Sequence, residues 1–187
     1  MLITTEGVEE YLSGIILFDE TIRQKTDDGT PFVEVLKTKG IIPGIKVDTG
    51  AKDMALHPGE KITEGLDGLR ERLTEYKELG AQFAKWRAVI KIDAGLLPTQ
   101  SCIHANAHAL ARYAALCQEA GIVPIVEPEV LINGNHTIEK CYEVTRDTLD
   151  EMYGELNMQA VHLPGTSLKA SMVIAGKECE TQSSIEE

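Results

Sequence analysis

FAKWRAVIKI (83–92) and IVPIVEPEV (122–130) are the stretches that decide how this chain folds. Each is a short run dominated by apolar and β-branched side chains, bounded by glycine, proline or polar residues, and each reads as a strand. Three further runs share the character: SGIILF (13–18), IPGIKV (42–47) and AVHLPGTSLK (160–169). Longer segments with helical spacing separate them. PFVEVLKTKG (31–40) opens on proline and closes on glycine, the asymmetry of a short helix. In GLDGLRERLTEYKELG (65–80), Leu66, Leu69, Leu73, Tyr76 and Leu79 line one stripe, and Gly80 is the expected cap. Residues 101–121 are rich in alanine, which favours helix at little entropic cost. Residues 137–156 form a fourth helical segment that offers Tyr142, Val144, Leu149 and Tyr153 for burial. Strands alternating with helices imply an α/β fold with a parallel sheet and crossover helices. No linker-like stretch interrupts the pattern, so 1–187 is expected to be one domain. The segment 49–63 reads as a surface loop, and 177–187 as a polar, flexible tail.

The unusual residues lie inside the strands. A parallel strand buried on both faces is nearly all apolar. Here the period-two rule puts Lys46 and Asp48 on one face, then Lys85, Arg87 and Lys91, then Glu127 and Glu129, with Lys169 at the end of the last strand. Trp86 points the other way and reads as packing. Charge on a packed face is costly unless paired. Both signs occur on adjacent strands, so these groups are expected to neutralise one another at the carboxyl ends of the strands, where such folds hold their sites. A lysine among other cations gives up its proton more readily and can attack a ketone to form a Schiff base. A strand glutamate suits the proton transfers of carbinolamine formation and dehydration, and further cations suit phosphate groups. The pattern alone does not choose among Lys46, Lys85 and Lys169 as nucleophile.

Composition narrows the alternatives. With 18 basic and 30 acidic residues the formal charge is -12, the wrong sign for a nucleic-acid footprint. No run is long and apolar enough to span a membrane, and the start lacks the basic-then-apolar pattern of a secretory signal, so a cytoplasmic protein is expected. Cys102, Cys117, Cys141 and Cys179 are widely spaced with no CxxC, in keeping with reduced thiols. His104 and His108 are four apart and near Cys102, but without the glutamate of HExxH they read as ordinary histidines on a helix face, and no metal is expected. Neither GxGxxG after a strand nor GxxxxGK[ST] is present, nor a nucleophile elbow.

The motifs GIILFDETIRQKTDDGTPF, GIKVDTG, EGLDGL, FAKWRAVIKI, ANAHALARYAALCQEAGIVPIVEPEVL and LPGTSLKASMV together resemble the class I fructose-bisphosphate aldolase family, over 11–172. The resemblance implies a (β/α)8 TIM barrel of which about five strands are present. It implies metal-free, cofactor-free cleavage of fructose 1,6-bisphosphate to dihydroxyacetone phosphate and glyceraldehyde 3-phosphate. Lys169 matches the Schiff-base lysine, Glu127 the residue assisting carbinolamine dehydration, and Glu129 the second acid, which tunes the lysines. Lys85 matches a lysine close to the nucleophile, Lys46 and Arg87 match cations near the distal phosphate, and Asp48 belongs to the supporting network. Where the family pattern reads LLKPNMV, this chain reads SLKASMV, so Ser167, Ala170 and Ser171 depart from it. The family's acid-bearing first segment, last two strands, serine–glycine phosphate loop and C-terminal tyrosine are expected to lie outside this chain. A phosphorylated sugar is the implied partner, and a homo-oligomer is possible.

Overall fold

The computed structural model describes residues 2–93, 95–182, 184 and 186. Its centre is a five-stranded sheet of β1 (Gly14–Leu17), β2 (Ile42–Lys46), β5 (Phe83–Ile90), β6 (Val123–Val130) and β7 (Ser167–Leu168). Every pairing is parallel, and the strands lie side by side in chain order. An order that never reverses distinguishes a barrel segment from a doubly wound sheet. The fold is that of a partial (β/α)8 barrel.

Between these strands run α1 (Asp19–Ile22), α2 (Phe32–Thr38), α3 (Leu69–Leu79), α4 (Gln100–Glu119) and α5 (Ile138–Met158). Thr99 and Thr137 cap α4 and α5 by accepting from the backbone N–H groups of Cys102 and Lys140. Gly80 ends α3 at φ 106°, a conformation that glycine adopts without strain. Pro31 sits at the N-cap of α2, one position before the helix proper. No helix among the described residues is long and apolar enough to cross a membrane.

The helices supply the buried side of the sheet. Along β5, Ala84, Trp86, Ala88 and Ile90 are buried, while Phe83, Lys85, Arg87 and Val89 are only partly so. Trp86 stacks on Tyr113 of α4, ring centroids 5.6 Å apart. Leu36, Ile45, Leu73, Leu110, Ala114 and Leu156 complete that layer. Among the described residues, the opposite face carries no helix layer. Its apolar members Ile16, Ile42 and Val123 are between 37% and 47% exposed, and Phe18, just past β1, is 62% exposed. The Phe83 ring packs against Gly14 and Gly44, and a Cβ on Gly44 would clash with it.

Three sequence expectations need correction. The run 160–169 is not one strand: Val161 bonds back to Leu156, Leu163–Gly165 forms a 3-10 turn around Pro164, and only Ser167–Leu168 joins the sheet. Proline lacks the N–H that the ladder requires, which delays pairing until the turn is complete. The segment 49–63 is not simply a loop, because β3 (Gly50–Asp53) and β4 (Lys61–Glu64) pair antiparallel as a separate two-stranded sheet. On α5, Val144 is buried but Tyr142 and Tyr153 are 57% and 36% exposed, since the helix offers one face only. Beyond β7, the N–H groups of Gly176, Lys177 and Glu178 donate to the carbonyls of His136, Ile132 and Gly134. The tail expected at 177–187 includes positions 183, 185 and 187, which lie outside the described residues.

Candidate active site

The charged strand residues converge on the uncovered face of the sheet. Register explains why. Lys46 of β2 is level with Lys85 of β5, and Arg87 of β5 is level with Glu127 of β6. Lys169 follows Leu168, which is level with Val126, and its N–H donates to the Val126 carbonyl at 2.9 Å. Glu127 therefore stands between two cationic strands, with Arg87 and Lys169 level with it and Lys85 one step below on the same face.

Glu127 is buried, and its two oxygens are divided between two lysines. Oε2 accepts from Lys85 Nζ at 2.7 Å, and Oε1 accepts from Lys169 Nζ. Burial pushes the Glu127 carboxyl up, but the hydrogen bonds from Lys169 and Lys85, reinforced by their charges, outweigh it and hold the group below the usual carboxylate range. The Lys85 side chain is 14% exposed, whereas that of Lys169 is 59% exposed and reachable from solvent. One strand step further along β6, Glu129 accepts from the Arg87 guanidinium.

A further ion pair lies at the end of β2. Lys46 Nζ donates to Asp48 Oδ1 at 2.5 Å and to the Asp48 carbonyl at 2.8 Å. The same carboxylate accepts from the Gly50 N–H at 3.1 Å and, through Oδ2, from the Arg87 N–H at 3.3 Å. Asp48 thus ties the mouth of β2 to β5. Lys46 also lies over the Phe18 ring, 5.7 Å from its centroid.

The structure brings together Lys169, Glu127 and Lys85, joins Glu129 to Arg87, and joins Lys46 to Asp48. Lys91, expected on the same face, follows the last residue of β5 and is exposed. A small cleft beside Lys169 is lined by Glu127, Glu129, Ala170 and Ser171, so two of the three residues that depart from the family pattern border the same space. Ser171 was legible only as a departure from that pattern. Chemically, the arrangement holds one amine accessible, a second amine desolvated, and an ionised carboxylate between them that can receive a proton from either.

The sequence profile of class I fructose-bisphosphate aldolase matches residues 1–187. A protein of Xanthomonas axonopodis pv. citri named "Probable fructose-bisphosphate aldolase class 1" is 64% identical over 187 residues, which cover all of this chain and 56% of that protein. Cytosolic fructose-bisphosphate aldolase 6 of Arabidopsis thaliana is 54% identical over 178 residues, 95% of this chain and 49% of its own length. A solved structure of fructose-bisphosphate aldolase from Plasmodium falciparum, in complex with TRAP and a small-molecule inhibitor, superposes with TM-score 0.94 and 48% identity. It covers 97% of this chain and 53% of the other. The chain spans about half the length of the curated relatives it matches.

Proposed function

We infer the activity from one premise, that the chain belongs to the class I fructose-bisphosphate aldolase family. We propose that it carries the Schiff-base half of an aldolase site, serving the reversible cleavage of fructose 1,6-bisphosphate to dihydroxyacetone phosphate and glyceraldehyde 3-phosphate. The observation that carries this reading is the single buried carboxylate shared by two lysines of neighbouring strands.

In this reading Lys169 attacks the substrate ketone. Glu127 takes the proton that frees the amine and returns one to the departing hydroxyl of the carbinolamine. Lys85 keeps Glu127 ionised and assists proton transfer, and Glu129 positions Arg87. Lys46 and Arg87 face the phosphate furthest from the reacting carbon, with Asp48 aligning both strand ends. No metal or other cofactor is needed, because the iminium itself is the electron sink. The cytosolic names of the plant relatives support a cytosolic location for this chain as well.

The exposed apolar side chains around the charged face favour a second reading, in which the chain acts as a structural or interaction module without turnover. One experiment separates the two. The purified chain is incubated with dihydroxyacetone phosphate, reduced with borohydride, and read by intact and peptide mass. The aldolase reading expects one adduct, on Lys169, that is lost in Lys169→Met. Adduct retained in that variant would reassign the nucleophile. A folded parent chain that is never trapped would leave the interaction module.

A further inference from the structure

On the outer side of the molecule, away from the charged sheet face, α4 and α5 run alongside each other in a register that repeats. His104 Nδ1 lies 2.6 Å from Glu151 Oε1, and one helical turn on, His108 Nδ1 lies 2.8 Å from Glu155 Oε2. Both pairs are separated by 47 residues in sequence, and each helix presents its two members four apart. The two turns are also linked, because Glu155 turns its other oxygen, Oε1, toward His104 Nδ1 at 3.7 Å. The imidazole rings are inclined by only 26° with centroids 6.4 Å apart, so their Nδ1 atoms address the same strip of α5.

We propose that His104, Glu151 and Glu155, with His108 one turn on at the other oxygen of Glu155, form a binding site for a divalent transition-metal ion of the zinc type, which would strap α4 to α5. Imidazole nitrogen and carboxylate oxygen are donors that zinc accepts at about 2.0–2.2 Å, so two ligands of one tetrahedral ion stand roughly 3.4 Å apart. The observed nitrogen–oxygen separations of 2.6 and 3.7 Å bracket that spacing. The ligating atoms of His104, Glu151 and Glu155 all lie within 4.8 Å of one another, the one such group of three among the described residues.

Three features distinguish this cluster from the ordinary surface ion pairs of the chain. Glu155 is buried, with 6% of its side chain exposed, so one ligand is held by packing. Among the described residues, the other paired carboxylates are matched to lysine or arginine, whereas Glu151 and Glu155 are paired with the two imidazoles. The histidine side chains are 57% and 43% exposed, so an ion reaches the site directly from solvent. Cys102, close by in sequence, is excluded from the set. It is buried, and its thiol donates to the Lys61 carbonyl on the other side of α4.

The test is a zinc titration of the full 187-residue chain by calorimetry, paired with cobalt absorption spectroscopy. One ion per chain at micromolar affinity is expected, with cobalt d–d bands and no ultraviolet thiolate-to-cobalt band. His104→Asn and Glu151→Gln, both at the accessible end of the cluster, should each weaken binding by at least about tenfold. Cys179→Ser should change nothing. Zinc at about a hundred times its dissociation constant should also lower the unfolding equilibrium constant about a hundredfold in the parent and not in the His104→Asn/Glu151→Gln double variant. Absence of saturable binding would mean that the histidines and glutamates are hydrogen-bonded pairs and nothing more. Binding unaffected by His104→Asn, or accompanied by the thiolate band, would equally overturn the site.

Discussion

Glu127→Gln removes one negative charge and little volume, and it separates the two tasks assigned to this carboxylate. Structurally, Glu127 receives two charge-assisted hydrogen bonds, from Lys85 at 2.7 Å and from Lys169. Such bonds contribute about 1.5–3 kcal/mol each when shielded from water. The Lys85 arm meets that condition, its lysine being 14% exposed and its carboxylate 5%. The Lys169 arm does not, because that lysine is 59% exposed and can turn to water, so its share falls to the surface range of at most about 1 kcal/mol. Glutamine keeps one acceptor oxygen for Lys85, retaining a weaker bond of about 1 kcal/mol. The net loss is about 0.5–3 kcal/mol, which at a urea slope of about 2 kcal/mol/M should move the midpoint down by roughly 0.3–1.5 M. On the proposed chemistry the variant should also trap dihydroxyacetone phosphate about 10²–10⁴-fold more slowly, because the proton carrier is gone. Lys169→Met gives the complementary result: adduct formation abolished with under about 1 kcal/mol of stability lost, since the Lys85–Glu127 bond remains. A Glu127→Gln chain with an unchanged urea midpoint would refute the electrostatic argument. One that trapped at the parental rate would remove Glu127 from the proton transfers, whatever its stability.

Asp48→Asn should destabilise the chain by about 2–3 kcal/mol in the same urea assay, because a buried carboxylate that takes Lys46 Nζ and two backbone N–H groups loses its charge and half its acceptor capacity. Gly44→Ala should cost about 1–3 kcal/mol by driving the Phe83 ring off the sheet, and adding Phe83→Leu should recover part of that loss; two additive effects would count against the contact. Stability should fall in two stages on acidification, followed by thermal melts. Burial depresses the His136 pKa below 6.5, so below about pH 6.5 the unfolded chain takes up a proton that the folded chain refuses, until the folded value is passed. Glu127, depressed below 4.5, contributes stability that is present above that value and is lost as pH falls through its folded pKa. His136→Phe should flatten the first stage and leave the second.

The sheet was legible because its strands are apolar where they meet the helices and charged where they do not. The alternation of Ala84, Trp86, Ala88 with Lys85 and Arg87 shows in the sequence itself, since side-chain direction has period two. The same rule put Glu127 and Glu129 on one face and Trp86 on the other. What the rule does not contain is register between strands, so the choice of Lys85 and Lys169, and not Lys46, as the partners of Glu127 emerges only from the structure. Ala160, Val161 and Leu163 gave the run before Lys169 an apolar look that hid a turn at Pro164. The strands GAKD and KITE escaped notice because they are held by backbone pairing and have almost no apolar alternation. The histidines of α4 read from sequence as ordinary helix-face residues because their glutamates lie 47 residues away, and a match across two helices leaves no local signal.

The position of the charges explains how one sheet accommodates both folding and chemistry. Lysine, arginine and glutamate side chains in a parallel strand would be ruinous beneath a helix layer, where water is excluded and unpaired charge is costly. All of the paired strand charges described above lie on the opposite face, beyond the apolar layer that Trp86, Ile45 and Val126 form with the helices. On that face Lys169 keeps contact with solvent while Glu127 does not, a difference of 59% against 5% side-chain exposure along a single hydrogen bond. A proton passing from Lys169 to Glu127 would therefore discharge both groups at once. It would leave the exposed amine neutral and nucleophilic and the buried acid ready to protonate a leaving hydroxyl. The burial that raises the Glu127 carboxyl opposes the lysine bonds that lower it, so once substrate removes Lys169 from the pair, one of the two restraints on protonation is released. On the proposed reading, substrate engagement itself shifts Glu127 toward the protonated form that the next step uses.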